Sequence, residues 1–499
     1  MIYIRTTAYN ASRTLRRAVE SVLRQTYGEF EYYLIDNGSV DHGQTRKIIE
    51  EYARRDSRIK PFFNVKNHVW KGNEEASLLP HNIGAEDYFC LLDADDEYAL
   101  TFLADMLEFM ERNYLDIAAC GSDFIRAEDS VITGQRLFSQ DVIIEGQQFE
   151  ALFPAYYQFM RTVWGKLFKG KTLRNTILDT KSPKIPRVYG NDTFFTMCAF
   201  RDAKRAGVLG KVLHRYYIFP KSVSHVFRSD RSKCDRIIRN AMIDFLRPYG
   251  QIRQRNMDFI DAVHADACKD SLMVILNATI STLEKMRWIQ ELLSDEGAVA
   301  VFQSTSPEVA ERADLIRKMI LNWIREQKER ETARGAELTA EIVMLLLPRH
   351  ETFSFLRTMW MERPELIRKL GKKKWVERHL LTIPVLQNVS MSLAFATPDA
   401  ICLIMQGRWA EAWEQFTAAG EVELQEEDRE SWCLLGQNLA ALAEDPSGYI
   451  YFKKVWISYL IDHERVTEAE AELEEFIDIL PDDEDFARLK ERAVQLRDS

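Results

Sequence analysis

The feature that most constrains the fold is an alternation. Over the first 230 residues short apolar runs and helical patterns follow one another. IYIRTT (2–7) is strand-like. ASRTLRRAVESVLRQT after it carries Leu15, Val19, Val22 and Leu23 at helical spacing, with Asn10 or Ser12 placed to cap that helix. EYYLIDNGS reads as a buried strand ending in a turn, and HGQTRKIIEEYARRD as a second amphipathic helix. IKPFFNV and DYFCLLDADD are further strands, ALTFLADMLEFMERN is a helix, and DIAACGSDF closes the series. Strand–helix–strand repetition implies an α/β domain with a doubly wound, mostly parallel sheet. Ligands bind such sheets beyond the carboxyl ends of the strands. Polar clusters fall there three times: Thr6-Thr7 after the first strand, Asp36-Asn37 after the second, and an acidic group after the fourth.

That acidic group ends the stretch FCLLDADDEYA. Asp93, Asp95 and Asp96 crowd three carboxylates into four residues, a repulsion of several kcal/mol where the dielectric is low. A positive partner is expected. Asp93 and Asp95 point the same way if the strand continues through them. Two such oxygens suit a hard divalent cation, Mg²⁺ or Mn²⁺, which keeps waters and borrows phosphate oxygens from its ligand. In the competing reading Asp95 or Asp96 caps the helix that follows.

With 499 residues the chain is long enough for two or three domains. We expect an α/β domain over 1–230, a helical domain over 231–394, and short paired helices over 395–499. In the last, Trp432, Leu435 and Gly436 fit the W-x-x-L-G opening of a tetratricopeptide helix, and GRWAEAWEQF and ERVTEAEAELEEFIDILP resemble its second helices. Arg408 and Arg465 stand 57 apart, which is not a tetratricopeptide period, and a plain helical bundle is the alternative. The net charge of −11, with basic residues interspersed among acids, argues against nucleic acid. Seven cysteines without a CxxC pair are neither a disulfide framework nor a zinc site, and fit a reducing cytoplasm. The opening MIYIRTTAYN is no signal peptide, and no apolar run reaches the roughly 18 residues of a spanning helix.

The ordered set TTAYNASRTLRRAVESVLRQTY, YLIDNGSVD and YFCLLDADDEY resembles the amino-terminal half of the inverting family 2 glycosyltransferases, which have the GT-A fold. Tyr9, Asn10, Ser21, Leu23, Gln25 and Thr26 match the family pattern, and Thr7 stands where proline is usual. The resemblance covers about residues 1–230. It implies that Thr7 and Tyr9 line a nucleotide base pocket, with Asp36 accepting the uracil N3–H. It places Asp93 on the ribose or metal side and Asp95 on a cation bridging the donor diphosphate.

Further on, TVWGKLFKGKTLR and RVYGNDTFFTMCAF resemble the family's W-x-K-L and E-D-x-x-F segments. Asp192 then falls at the catalytic base, which an inverting displacement needs to deprotonate the acceptor; the competing reading makes it a helix cap. Asn191 replaces the usual Glu, removing a neighbouring charge that would raise the base's pKa. Trp164 is core or sugar platform, and Lys166 serves the diphosphate or a surface. In HRYYIFPKSVSHVF, Tyr217 and Phe219 occupy the family's Arg and His places. His225 is a candidate third metal ligand, Lys221 and Ser222 are candidate phosphate contacts, and Lys71 is a diphosphate candidate.

The expected activity is a metal-dependent inverting transfer from a nucleotide-sugar, a UDP-sugar, to a peptide or protein. That acceptor rests on the grooves that tetratricopeptide-like arrays present. The alternatives are a cell-surface saccharide acceptor, with the helical half forming a homodimer, or a degenerate transferase acting as a scaffold.

Overall fold

The computed structural model describes residues 1–67, 83–178, 190–219, 227–360, 383–387, 389–419 and 426–498. The chain divides into two compact units. The first is Met1–Ala278 with Asp295–Asp314, the second Thr279–Ser294 with Leu315–Ser499.

The first unit contains β1 (Ile2–Ala8), α1 (Leu15–Leu23), β2 (Phe30–Asp36), α2 (Gln44–Arg55), β3 (Ile59–Phe63), β4 (Tyr88–Leu91), β5 (Glu97–Tyr98) and α3 (Phe102–Arg112). It continues with β6 (Ile117–Arg126), β7 (Ile132–Arg136), β8 (Val142–Glu145), α4 (Gln148–Ala151), α5 (Phe153–Met160), β9 (Lys166–Lys169) and α6 (Gly170–Leu178). Then come α7 (Asn191–Asp202), β10 (Arg205–Ile218), α8 (Arg231–Leu246) and α9 (Gln254–Asn277). The sheet runs β3-β2-β1-β4-β9-β6-β10-β5, with β7 paired to β6 and β8 to β10. β1, β2, β3 and β4 are mutually parallel, as are β6 and β10. β9 is antiparallel to both β4 and β6, so the two parallel halves point the same way through it.

Period-two alternation fills both faces. Ile2 and Ile4 of β1 and Cys90 of β4 enter one core with Leu15, Val19, Val22, Ile49 and Phe102. Tyr3 and Phe89 enter the other with Phe153, Tyr156, Phe159, Phe200 and Phe245. A sheet covered on both faces needs continuous apolar strands, which is why FCLL reads as an unbroken run. The five strands read from the sequence are β1 to β4 and β6. The short β5, the mostly exposed β7 and the bulged β10 escape such a reading, because they lack a clean apolar pattern.

One expectation is corrected here. α1 starts at Leu15 with Thr14 as N-cap and no side-chain cap bond, so neither Asn10 nor Ser12 caps it. Asn10 sits in the left-handed region at φ 51°. Its Oδ1 accepts from Val40 N at 2.8 Å and its N–H donates to Ser39 Oγ at 2.9 Å. It ties the loop after β1 to the loop after β2 instead. In that second loop Gly38 has φ +72°, and a Cβ there would lie 2.3 Å from the Lys66 carbonyl carbon; no other residue fits.

The second unit is helical. Its carboxy-terminal part contains Pro398–Met405, Trp409–Ala418, Glu426–Leu442, Pro446–Asp462, Val466–Ile477 and Glu484–Arg497. Three turns between these helices are built alike. Gly407, Glu444 and Glu464 are all left-handed. Each following N–H (Arg408, Asp445, Arg465) donates five residues back, to Leu403, Ala440 and Leu460, the Schellman closure of a helix end. Gly436 of the W-x-x-L-G segment faces Phe452, whose ring a Cβ would meet at 2.3 Å.

Candidate active site

Asp93, Asp95 and Asp96 lie in the loop from β4 to β5. One ligand atom from each falls within 4.8 Å of the others. Asp93 is exposed, Asp95 half-buried and Asp96 fully buried. The loop is held from all sides. Thr6 Oγ1 donates to Leu92 O at 2.8 Å and accepts from Tyr32 Oη at 2.8 Å. Arg17 of α1 donates to the Asp95 carbonyl, and its guanidinium lies 3.5 Å from the centre of the Tyr217 ring. Ser21 Oγ accepts from Tyr98 N at 3.2 Å. Gln25 donates to Ala99 O at 2.7 Å and accepts from Leu103 N at 2.9 Å. Ser21 of α1 and Gln25 just beyond its end are thus structural clamps on the exit of the acidic loop, a role the sequence does not advertise.

Neither Asp95 nor Asp96 caps α3, whose N-cap is Thr101. Asp96 Oδ1 accepts from Tyr217 N at 2.9 Å. Its Oδ2 lies 3.4 Å from His214 Nε2 and, like both ring nitrogens of His214, has no hydrogen-bond partner. All three carboxyls are raised above the usual range. For Asp93 the causes are burial at the cleft floor, then the negative charges of Asp96, Asp192 and Asp95. Water reaches Asp93, so the like charges are the sturdier cause there. For Asp95 burial opposes the pull of Arg17 and His214. For Asp96 burial exceeds the Tyr217 hydrogen bond. Oxygen-only donors, mutual repulsion and an orphaned buried carboxylate oxygen fit a hard divalent cation.

Asp93 and Asp192 both line a cleft of about 610 Å³, together with Arg136, Arg161, Trp164, Asn191, Tyr216 and Arg228. Asp192 sits in the first turn of α7, one residue inside a helix whose N-cap is Gly190. It is therefore not the cap, though the helix end favours its charge. Burial raises its carboxyl and Lys166 opposes this. Asn191 is 7% exposed with its Oδ1 unpartnered. Lys166 is fully buried, and its Nζ donates to Thr162 O, Thr162 Oγ1 and Trp164 O. Trp164 is 4% exposed and stacks on His214 at 4.4 Å and on Tyr216 at 5.1 Å.

The base-pocket candidates lie at the same ends of the parallel strands. Ala8 pairs with Asp36, and Arg5 with Leu91 just before the acidic loop. Thr7 is exposed and accepts from Arg5 Nε at 3.2 Å. Tyr9 is 44% exposed. Asp36 is 6% exposed, and its Oδ1 accepts from Ser39 N at 3.0 Å. Lys71, Lys221, Ser222 and His225 lie outside the described residues. The structure adds Arg17, Ser21, Gln25, Arg136, Arg161 and His214 to the residues that shape the site. Only the family spacing of Ser21 and Gln25 could have flagged any of them.

The acidic loop thus lies beyond the central parallel strands of a mixed sheet, and Asp93 from it shares a cleft with Asp192. Residues 3–165 match the model of Glycosyl transferase family 2. The chain is 26% identical over 220 residues to the uncharacterized glycosyltransferase EpsJ of Bacillus subtilis, covering 44% of this chain and 61% of that protein. It is 34% identical over 127 residues to the UDP-Glc:alpha-D-GlcNAc-diphosphoundecaprenol beta-1,3-glucosyltransferase WfaP of Escherichia coli, covering 26% and 47%. The chain thus spans less than two thirds of either relative. Among solved structures, residues 1–349 of S. aureus TarS with UDP-GlcNAc align at a TM-score of 0.39 and 16% identity, covering 74% of this chain and 87% of that one.

Among the described residues no helix is long and apolar enough to cross a membrane.

Proposed function

We propose that this protein is a metal-dependent, inverting glycosyltransferase that moves a sugar from a UDP-sugar to a saccharide acceptor. The observation that carries the reading is that Asp93, one of the clustered Asp93, Asp95 and Asp96, lines the same cleft as Asp192. Asp93 and Asp95 would hold Mn²⁺ or Mg²⁺, which when bound supplies charge neutralisation for a departing diphosphate. Asp192 takes the proton of the attacking acceptor hydroxyl. Its raised carboxyl suits a general base, because basicity rises with pKa. Asn191 Oδ1, buried without a partner, accepts a hydrogen bond from the acceptor and orients it. Thr7, Tyr9 and Asp36 receive the nucleotide base at the ends of β1 and β2. The similarity to WfaP, a glucosyltransferase named for a UDP-glucose donor and a diphosphoundecaprenol-linked GlcNAc acceptor, supports the donor and acceptor classes.

The test is Mn²⁺-dependent hydrolysis of a UDP-sugar panel. We expect one UDP-sugar to turn over, and Asp95→Asn to lower that turnover about a hundredfold or more with folding intact. No binding or hydrolysis of any sugar nucleotide with any divalent ion would overturn the reading.

A further inference from the structure

The cleft is lined by charges of both signs. Asp93 and Asp192 are its acids, and Arg136, Arg161 and Arg228 are its bases. Arg136, at the end of β7, is 5% exposed. Its Nη1 donates to Gln158 O at 2.8 Å and to Thr162 Oγ1 at 3.2 Å, its Nη2 to Ser122 Oγ at 3.4 Å, and its buried Nε has no partner. The guanidinium centre stands 4.6 Å from the Trp164 ring. Its partners are neutral. Arg161 is exposed, and Arg228 pairs with Asp230 at 3.3 Å. Among the described residues neither Arg136 nor Arg161 has a carboxylate within ion-pair distance. A buried cation without a counter-ion is costly unless something supplies the charge. Asn191, standing where the family carries a Glu, removes a further acid from this lining.

We propose that the arginine part of this lining is an acceptor subsite for a phosphate group: the acceptor saccharide carries a phosphate or diphosphate, which Arg161 and Arg228 contact while the buried Arg136 supplies a fixed field. The proposal rests on the transferase reading above and names its acceptor class. Two uncompensated guanidiniums match the one to two negative charges of a phosphate ester, and guanidinium is the group best shaped to fork onto one. Asp93, in the lining of the same cleft, repels that phosphate. The acceptor is thereby oriented with its charge away from the metal side and its hydroxyl toward Asp192.

The experiment measures binding to the full chain by calorimetry in metal-free buffer, so that no cation in the acidic loop holds the ligand. The probes are a monosaccharide, its 1-phosphate, and the same sugar as a decyl diphosphate. We expect one or both phosphate forms to bind at least about tenfold tighter than the neutral sugar, a gain of about 1.4 kcal/mol. Preference for the diphosphate identifies a lipid-linked acceptor, and preference for the 1-phosphate a soluble one. Arg161→Gln and Arg228→Gln should each bring the ratio toward one, with Arg161→Lys recovering part of it. A wild-type ratio near one, or a ratio that survives both glutamine variants, overturns the subsite. UDP-sugar hydrolysis without added acceptor reads the parent proposal separately. A protein that prefers the phosphate form yet never turns over a sugar nucleotide keeps the subsite and loses the transferase.

Discussion

At the scale of residues, the site is a balance of carboxylates set by their surroundings. Asp192 lies apart from the acidic loop, in the first turn of a helix, with Lys166 as its opposing charge. Replacing it by Asn keeps the volume and removes the base. We expect kcat for transfer to fall about 10²- to 10⁴-fold, while the affinity for UDP with Mn²⁺, measured by calorimetry, stays within about threefold. Asp192 must be ionised to act. Since burial raises its carboxyl, the acid limb of kcat/KM should lie above the ordinary carboxylate range, with activity lost as pH falls through it. Asp235, away from the cleft, shows the opposite dependence for stability. Burial pushes its carboxyl up to about 7, against the Ser271 hydrogen bond and Arg231. Its contribution is fully present below the unfolded-state value and is lost as pH rises through about 7. By linkage the span is at most about 4 kcal/mol. Urea midpoints should therefore decline between roughly pH 4 and 7 on its account, and Asp235→Asn should flatten that decline.

At the scale of elements, the recurring turns of the second unit supply the sharper test. Gly407, Glu444 and Glu464 occupy equivalent left-handed positions, and only the first is a residue without a steric penalty there. The penalty for a side chain in that region is about 1 kcal/mol. Glu464→Gly should therefore stabilise the helical unit by up to about 1 kcal/mol, read as a higher urea midpoint at unchanged slope. A lower midpoint would mean that Arg465, which bonds Glu468 and Glu430 from the adjoining position, depends on Glu464 for its geometry. In the first unit, α1 carries two kinds of information at once. Its apolar face (Leu15, Val19, Val22) fills a core, while Arg17 and Ser21, with Gln25 just past its end, fix the acidic loop.

At the scale of the whole molecule, the two compact units divide the labour between a cleft-bearing sheet and a helical array. UDP with Mn²⁺ at about 100 times its Kd should stabilise the unit it binds by about 2.7 kcal/mol, which slows globally limited amide exchange about a hundredfold. Hydrogen-exchange mass spectrometry should show that protection in peptides from Met1–Ala278, with those from Leu315–Ser499 unchanged. Protection of both to the same degree would show that the units unfold as one.

The sequence by itself determined the parallel strands β1 to β4 and β6, the helices between them, and the positions of Asp36, Asp93 and Asp95. Each of these is announced locally, by a two- or 3.6-residue period or by polar residues that interrupt an apolar run. Only the tertiary structure decided what pairs across long separations. Gln25 reaches Ala99, Asp96 meets His214, and Lys166 sinks beneath a loop instead of standing in the open. The structure also joined Arg136, Arg161 and Arg228 in the lining of one cleft. Charges scattered along a chain are indistinguishable from a solvated surface until the fold brings them to a common cleft.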